Sequence, residues 1–151
     1  MLKYAAYGIV FSEIPDEISL SIDISNCPFR CKGCHSPFLW KDEGIELTNK
    51  ELFSLLTSNQ GISCVLFAGG DSDPAEVNRL AQLIKYSSFI KVAWYSGNTE
   101  LPKEINLNNF DYIKLGPYIE ELGGLKNPNT NQRLYKIDNK KLIDITQTFW
   151  K

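Results

Sequence analysis

The sequence has no excess of basic residues. Its 16 Lys and Arg residues stand against 18 Asp and Glu residues, for a formal net charge of -2, and they are scattered along the chain. Proteins that bind nucleic acid usually carry a basic patch or stripe. We therefore expect no nucleic-acid partner.

A long apolar run is also missing. Ser12 and Glu13 interrupt the apolar stretch near the N-terminus, which fits neither a signal peptide nor a membrane-spanning helix. We expect a cytoplasmic protein with no membrane contact. A chain of 151 residues is long enough to bury one core and too short for two, so we expect a single domain, 1–151.

Cysteine is scarce, but its distribution is informative. Three of the four cysteines, Cys27, Cys31 and Cys34, lie within eight residues, and the fourth, Cys64, lies in an apolar run. In a chain without an export signal, such crowding favours metal or redox chemistry over disulfides.

The first half of the predicted fold alternates strands and helices. Residues Ile18 to Ser25 alternate apolar and polar, which predicts a strand that runs into the cysteine cluster. Capping-box spacing from Thr48 to Glu51 predicts a helix. The apolar run Ile62 to Ala68 predicts a buried parallel strand. A second helix begins at Asp73 to Glu76, where proline occupies the first helical position.

The second half continues with strands at Phe89 to Tyr95 and Asp111 to Leu115, and ends in a predicted hairpin of Leu134 to Ile137 with Leu142 to Ile145. This order indicates an α/β fold with a mostly parallel sheet and right-handed crossovers. Functional groups then gather at the carboxyl ends of the strands.

The cysteine loop predicts an iron-sulfur centre. Cys27, Cys31 and Cys34 offer three thiolates, enough for three irons of a [4Fe-4S] cluster, and the fourth iron stays open to a substrate. S-adenosylmethionine (SAM) suits that position, because its amine and carboxylate can chelate one iron. The alternative is a zinc site completed by His35 or Cys64. Cys64 is a poor ligand candidate, since a buried cysteine behaves as a small apolar residue, and His35 is expected to contribute its backbone rather than its imidazole.

Two strand ends carry further candidate residues. After the buried strand, Gly69 and Gly70 allow a ligand to approach the backbone, and Asp71 offers a carboxylate to an amine. Ser96 follows the next strand in the segment Tyr95 to Gly97. At both places an ordinary turn explains the residues equally well.

The pattern from Cys27 to Cys34 resembles the radical SAM signature at every cysteine, and Gly69-Gly70-Asp71 resembles the Gly-Gly-Glu-Pro motif of the same superfamily. Asp71 stands in the place of the usual Glu, and two residues separate it from Pro74. The resemblance implies that SAM is contacted by Gly33, Cys34, His35, Gly69, Gly70, Asp71 and Ser96.

Further segments narrow the resemblance. They are Gly33 within the cysteine loop and Trp40, Tyr95 to Gly97, Gly116 to Leu122 and Thr130 to Arg133. In these segments the chain is similar, from about Ile18 to Ile137, to anaerobic ribonucleoside-triphosphate reductase activating proteins. The resemblance implies a truncated partial (βα) barrel of the radical SAM type. In such a protein a reduced [4Fe-4S] cluster cleaves SAM to methionine and a 5'-deoxyadenosyl radical, which removes a hydrogen atom from a glycine α-carbon of the reductase.

The implied partners are the large catalytic subunit of the reductase and a flavodoxin-like electron donor. The polar segment Asn127 to Gln132 is either a contact with the reductase or a solvated connection. Three other functions remain open. The chain could activate another glycyl-radical enzyme of the pyruvate formate-lyase type, or carry out radical SAM chemistry on a small molecule. The third is electron transfer without catalysis.

Overall fold

The computed structural model describes residues 1–29 and 37–150, with only the backbone of residues 37 and 38. Its strands are β1 (Lys3–Val10), β2 (Ser19–Ile24), β3 (Ile45–Glu46), β4 (Cys64–Ala68), β5 (Lys91–Tyr95), β6 (Tyr112–Leu115), β7 (Arg133–Asp138) and β8 (Lys141–Asp144). Its α-helices are α1 (Asn49–Ser58) and α2 (Pro74–Ser87), and short 3-10 helices cover Pro37–Trp40, Leu107–Asn109 and Thr146–Trp150.

Within this part of the chain the strands form one open sheet, in the order β3-β1-β2-β4-β5-β6-β7-β8. The four central strands β2, β4, β5 and β6 are parallel, as predicted. The flanking strands pair antiparallel, so four of the seven pairings are antiparallel. The α/β class is confirmed, whereas the prediction of a mostly parallel sheet is wrong because both edges are built by antiparallel neighbours.

Both α-helices begin where the sequence predicts. The Thr48 hydroxyl oxygen accepts a hydrogen bond from the Glu51 backbone N–H at 3.1 Å, and the Asp73 carboxylate accepts one from Glu76 at 3.3 Å. These caps satisfy backbone donors that the first helical turn leaves unpaired. The helices connect β2, β4 and β5 as crossovers, which keeps those strands parallel.

The N-terminal strand β1 is absent from the sequence prediction. Its pairing with β2 is irregular between Tyr4 and Ala6, where the register shifts. A β-bulge of this kind breaks the two-residue alternation that identifies a strand in a sequence. The strand is therefore identified from its pairing with β2 in the structure and not from the sequence pattern.

The two faces of the sheet are covered differently. Both α-helices pack on one face, where residues such as Phe67 and Trp94 form the larger core. The opposite face carries Leu66 and Ala93 and is covered in part by Ile14 and Phe149, from the two ends of the chain. Among the described residues, no helix has the length and apolar character to cross a membrane.

Candidate functional site

A cavity of about 980 Å³ lies at the carboxyl ends of the central parallel strands. Asp23, Ala68, Tyr95 and Lys114 stand side by side across β2, β4, β5 and β6, and all four line the cavity. Ligands in open α/β sheets bind at this edge. The sheet thus forms the base of a pocket whose size suits a cofactor.

The cysteine loop leaves the sheet beside this cavity. Cys27 follows β2, is partly exposed and lines the cavity. The backbone N–H groups of Asn26 and Cys27 donate hydrogen bonds to the carbonyl oxygens of Lys41 (2.9 Å) and Leu39 (2.8 Å). The two ends of the loop are therefore held together at its base.

The other predicted loop residues, Cys31, Gly33, Cys34 and His35, lie outside the described residues. Within residues 1–29 and 37–150, no three His, Cys, Asp or Glu side chains are grouped so as to hold a metal ion. Cys27 is therefore the member of the predicted cysteine site whose position the structure describes.

Cys64 is distant from the cavity. It is the first residue of β4 and is fully buried, whereas the cavity adjoins the last residue of that strand, Ala68. Four residues of strand separate the two ends by about 13 Å. Burial raises the pKa of the Cys64 thiol to about 12. Position and protonation both disfavour Cys64 as a metal ligand.

Asp71 faces the cavity and holds two strand ends together. One carboxylate oxygen accepts a hydrogen bond from the Ser96 hydroxyl at 2.5 Å, and the other accepts one from the Gly97 backbone N–H at 3.0 Å. Burial raises the pKa of Asp71, while those two hydrogen bonds and the charge of Lys114 oppose the rise. Because each carboxylate oxygen can accept more than one hydrogen bond, Asp71 can still receive a ligand amine.

The two glycines before Asp71 have different surroundings. Gly69 lines the cavity and has a φ of +105°, and its carbonyl oxygen accepts a hydrogen bond from Trp94 Nε1 at 2.6 Å. Gly70 is buried with a φ of +93°, and an added Cβ would lie 2.5 Å from Val77 Cγ2 of α2. Gly69 is thus placed to approach a ligand, whereas Gly70 allows α2 to pack against the strand end.

The two residues that separate Asp71 from Pro74 have a structural role. Asp73 is the N-cap of α2, and its carboxylate also lies 3.3 Å from the N-terminal amine of Met1. These residues start the helix without displacing Asp71 from the cavity.

Ser96 is fully buried and acts on the site through Asp71. Its hydroxyl donates to that carboxylate and accepts a hydrogen bond from the Asn98 backbone N–H at 2.9 Å. The next residue, Gly97, lines the cavity. An added Cβ there would lie 2.7 Å from Cδ2 of Phe29, so the absence of a side chain makes room for an aromatic ring of the cysteine loop.

Several charged residues of the cavity are missing from the sequence prediction. The Lys114 ammonium donates to the Gly116 carbonyl oxygen at 3.1 Å and lies 5.6 Å from the centre of the Tyr95 ring. Burial raises the pKa of Asp23; a hydrogen bond from Ser21 opposes this, and the negative charge of Glu13 adds to it. The sequence does contain a signal for Lys114, which lies within the apolar run of β6. A charged residue in a buried strand usually faces a polar space, so Lys114 could have been predicted to face a cavity.

The fold and the site define a mixed α/β protein with a cysteine loop beside a cofactor-sized cavity. The family model described as a 4Fe-4S single cluster domain matches residues 18–121. The chain belongs to this family of iron-sulfur cluster proteins. Comparisons with curated proteins and with solved structures give no match.

The described residues fit such a cluster. Cys27 supplies a thiol at the cavity, and hydrogen bonds join Asn26 and Cys27 to Lys41 and Leu39, beyond the other two cysteines in the sequence. Sulfur donors are the usual ligands of iron-sulfur clusters. The [4Fe-4S] cofactor of the sequence prediction is confirmed at the level of the family.

Proposed function

We propose that the chain is a radical SAM enzyme that generates a glycyl radical on an anaerobic ribonucleoside-triphosphate reductase. The observation that carries the proposal is the meeting of separate sequence segments at one cavity. Cys27, Gly69, Asp71 and Gly97 come from three strand ends, and all four line it. An electron carrier has no need of a large cavity beside its cluster.

In this proposal Cys27, Cys31 and Cys34 hold the cluster. When bound, the cluster and SAM supply reductive carbon-sulfur cleavage and hydrogen-atom removal from a glycine. Asp71 accepts a hydrogen bond from the SAM ammonium group, which offsets the cost of its burial. Gly69 permits close backbone approach, while Ser96 and Gly97 orient Asp71 by the hydrogen bonds already described.

The whole chain, 1–151, would be one radical SAM domain with a truncated partial barrel. Two observations support this proposal: the parallel strands are central, and both α-helices cover the same face. The opposite face, which carries no α-helix among the described residues, would be the barrel interior. Asn127, Pro128 and Gln132 line the cavity, which supports a role for this segment in receiving the glycine-containing loop of the reductase. A flavodoxin-like protein would supply the electron.

The first experiment tests SAM cleavage. The protein is reconstituted with iron and sulfide without oxygen, reduced with dithionite and mixed with SAM, and 5'-deoxyadenosine is measured by mass spectrometry. We expect product from the wild type and from Cys64→Ala, and none from Cys27→Ala. Loss of activity in Cys64→Ala with intact folding would assign Cys64 to the centre instead.

The second experiment tests the substrate. The reduced protein, SAM and the reductase subunit are mixed, and we expect the glycyl-radical doublet in the electron paramagnetic resonance spectrum. Cleavage of SAM without this doublet would favour another glycyl-radical enzyme or a small molecule as substrate. A cluster that accepts electrons but leaves SAM intact would indicate an electron carrier.

A further inference from the structure

Strand β1 has an open edge over most of its length. It pairs with β2 from Tyr4 to Val10, whereas on its other side β3 pairs with Lys3 and Tyr4 and Gly44 lies beside Tyr4 and Ala5. Among residues 1–29 and 37–150, no other strand pairs with that side. The backbone N–H and C=O groups that point outward from this edge are available to another strand.

The edge is apolar and uncharged. From Ala5 to Phe11 the sequence contains no charged residue and no proline, although these are the usual features that prevent exposed edges from pairing. Tyr7 and Ile9 lie opposite Ile22 and Leu20 of the core, yet 50% and 39% of their surface is exposed. Within the part of the chain that the structure describes, the strand therefore combines backbone groups that no other strand pairs with and exposed apolar side chains.

The edge is also complementary to itself. Its uncharged segment, Ala5 to Phe11, has Gly8 at the midpoint. If two copies pair antiparallel about that residue, Tyr7 of each copy stands opposite Ile9 of the other. Aromatic side chains opposite β-branched ones are favourable cross-strand pairs. An added Cβ at Gly8 meets no atom of the described residues within 4 Å, so a side chain introduced there has room on its face of the sheet.

The exposed apolar area near this edge reaches the minimum for a specific dimer interface. Beside Tyr7 and Ile9, the side chains of Phe11, Ile18 and Ile45 are 44% to 71% exposed near this edge. An aromatic residue has a total accessible area of about 150–250 Å². Multiplied by the exposed fractions, areas of this order give roughly 500 Å² of exposed surface for the five residues of each copy. A symmetric pair that covers them buries about 1,000 Å², which is the lower bound for a specific interface.

We infer that two copies of this chain associate through antiparallel pairing of β1, centred on Gly8, to form one continuous sheet. The two-fold axis is perpendicular to the sheet, so the apolar side chains of both copies meet on the face that carries the helices. The cavity lies at the carboxyl ends of the central strands. This inference does not depend on the proposed reaction.

The register is tested by disulfide formation in the full-length protein. In Gly8→Cys the two new thiols lie directly opposite each other, within the 4.5–5.5 Å backbone separation of paired residues, which permits a disulfide. In the control, Ala6→Cys, each thiol faces Val10 of the other copy, and the two thiols are about 13 Å apart. We expect the linked peptide, identified by mass spectrometry after mild oxidation, from Gly8→Cys alone. Linkage of Ala6→Cys, or of neither variant, would overturn the register.

The association is tested by light scattering after size-exclusion chromatography. We expect a mass of twice 17.2 kDa for the wild type and one chain for Ile9→Lys, because a charge on the edge prevents pairing. Tyr86→Lys replaces another exposed side chain, on α2, and should remain dimeric. A monomeric wild type, or a dimer that persists in Ile9→Lys, would contradict the inference.

Discussion

Gly97 lies at the end of β5, where the ring of Phe29 occupies the space that a side chain would fill. Phe29 belongs to the cysteine loop and lines the cavity. This contact packs the described beginning of the loop against the end of β5. A residue with no reactive group thus contributes to the position of the segment that contains Cys27.

Gly97→Ala should therefore destabilise the protein. Its Cβ would lie 2.7 Å from the Phe29 ring, and overpacking of this kind costs about 1–3 kcal/mol. The measurement is the free energy of unfolding in urea. Gly124→Ala is the matched control, since Gly124 also lines the cavity and its nearest atom would be 3.7 Å away. Equal values for the two variants would show that Phe29 moves aside without cost.

At the scale of elements, Glu17 connects the beginnings of three strands at the edge opposite the cavity. Its carboxylate accepts hydrogen bonds from Ser63 at 2.8 Å, Lys91 at 2.8 Å and Tyr112 at 2.9 Å. Burial by itself raises the pKa of Glu17, but these hydrogen bonds outweigh it, and the pKa is lowered. The network aligns β4, β5 and β6, and the same strands carry the cavity at their other ends.

Glu17→Gln should lower the free energy of unfolding by about 2 kcal/mol near neutral pH, because hydrogen bonds to a charged group are lost. The folded pKa of Glu17 is below its unfolded value, so its stabilisation is complete above the unfolded pKa and disappears as the pH falls through the folded pKa. The difference between wild type and variant should therefore shrink in acid.

The control for this variant is Glu121→Gln, at an exposed position, which should leave the unfolding curve unchanged. Urea titrations at several pH values give the comparison. A difference between wild type and Glu17→Gln that stays constant down to strongly acidic pH would show that the charge of Glu17 is unimportant.

At the scale of the whole molecule, the cavity is assembled from both ends of the chain. Glu13 and Phe149 line it together with residues from the central strands, and the Tyr95 hydroxyl donates a hydrogen bond to the Glu13 carbonyl oxygen. A ligand in this cavity contacts segments that are far apart in the sequence. Its binding should therefore stabilise the whole fold rather than one loop.

We accordingly expect SAM to raise the stability of the reconstituted protein. At a hundred times its dissociation constant, a ligand that binds only the folded state adds about 2.7 kcal/mol. Thermal unfolding with and without SAM measures the gain. In Cys27→Ala the gain should fall sharply, since one ligand of the proposed cluster is removed. An undiminished gain would mean that SAM binds without the cluster.

Local signals made much of the fold predictable. Thr48 and Asp73 cap helices through contacts within three residues, and the apolar runs of β4 and β6 reflect burial of the central strands. The iron-sulfur chemistry of the three clustered cysteines is likewise predictable, because they lie within eight residues of one another. The family match supports the iron-sulfur cluster that this spacing predicts.

What the sequence alone determined is therefore the capped helices, the central strands and the iron-sulfur chemistry of the loop. Only the tertiary structure decided which residues surround the cavity. Gly70 packs against α2, and Ser96 hydrogen-bonds Asp71 instead of lining the cavity. Asp23 and Lys114 line the cavity from β2 and β6. The antiparallel pairing of β1 and β3 at one edge, and of β7 with β6 at the other, was also decided there. The physical reason is that strand register and pairing join residues far apart in the chain, and no local pattern encodes them.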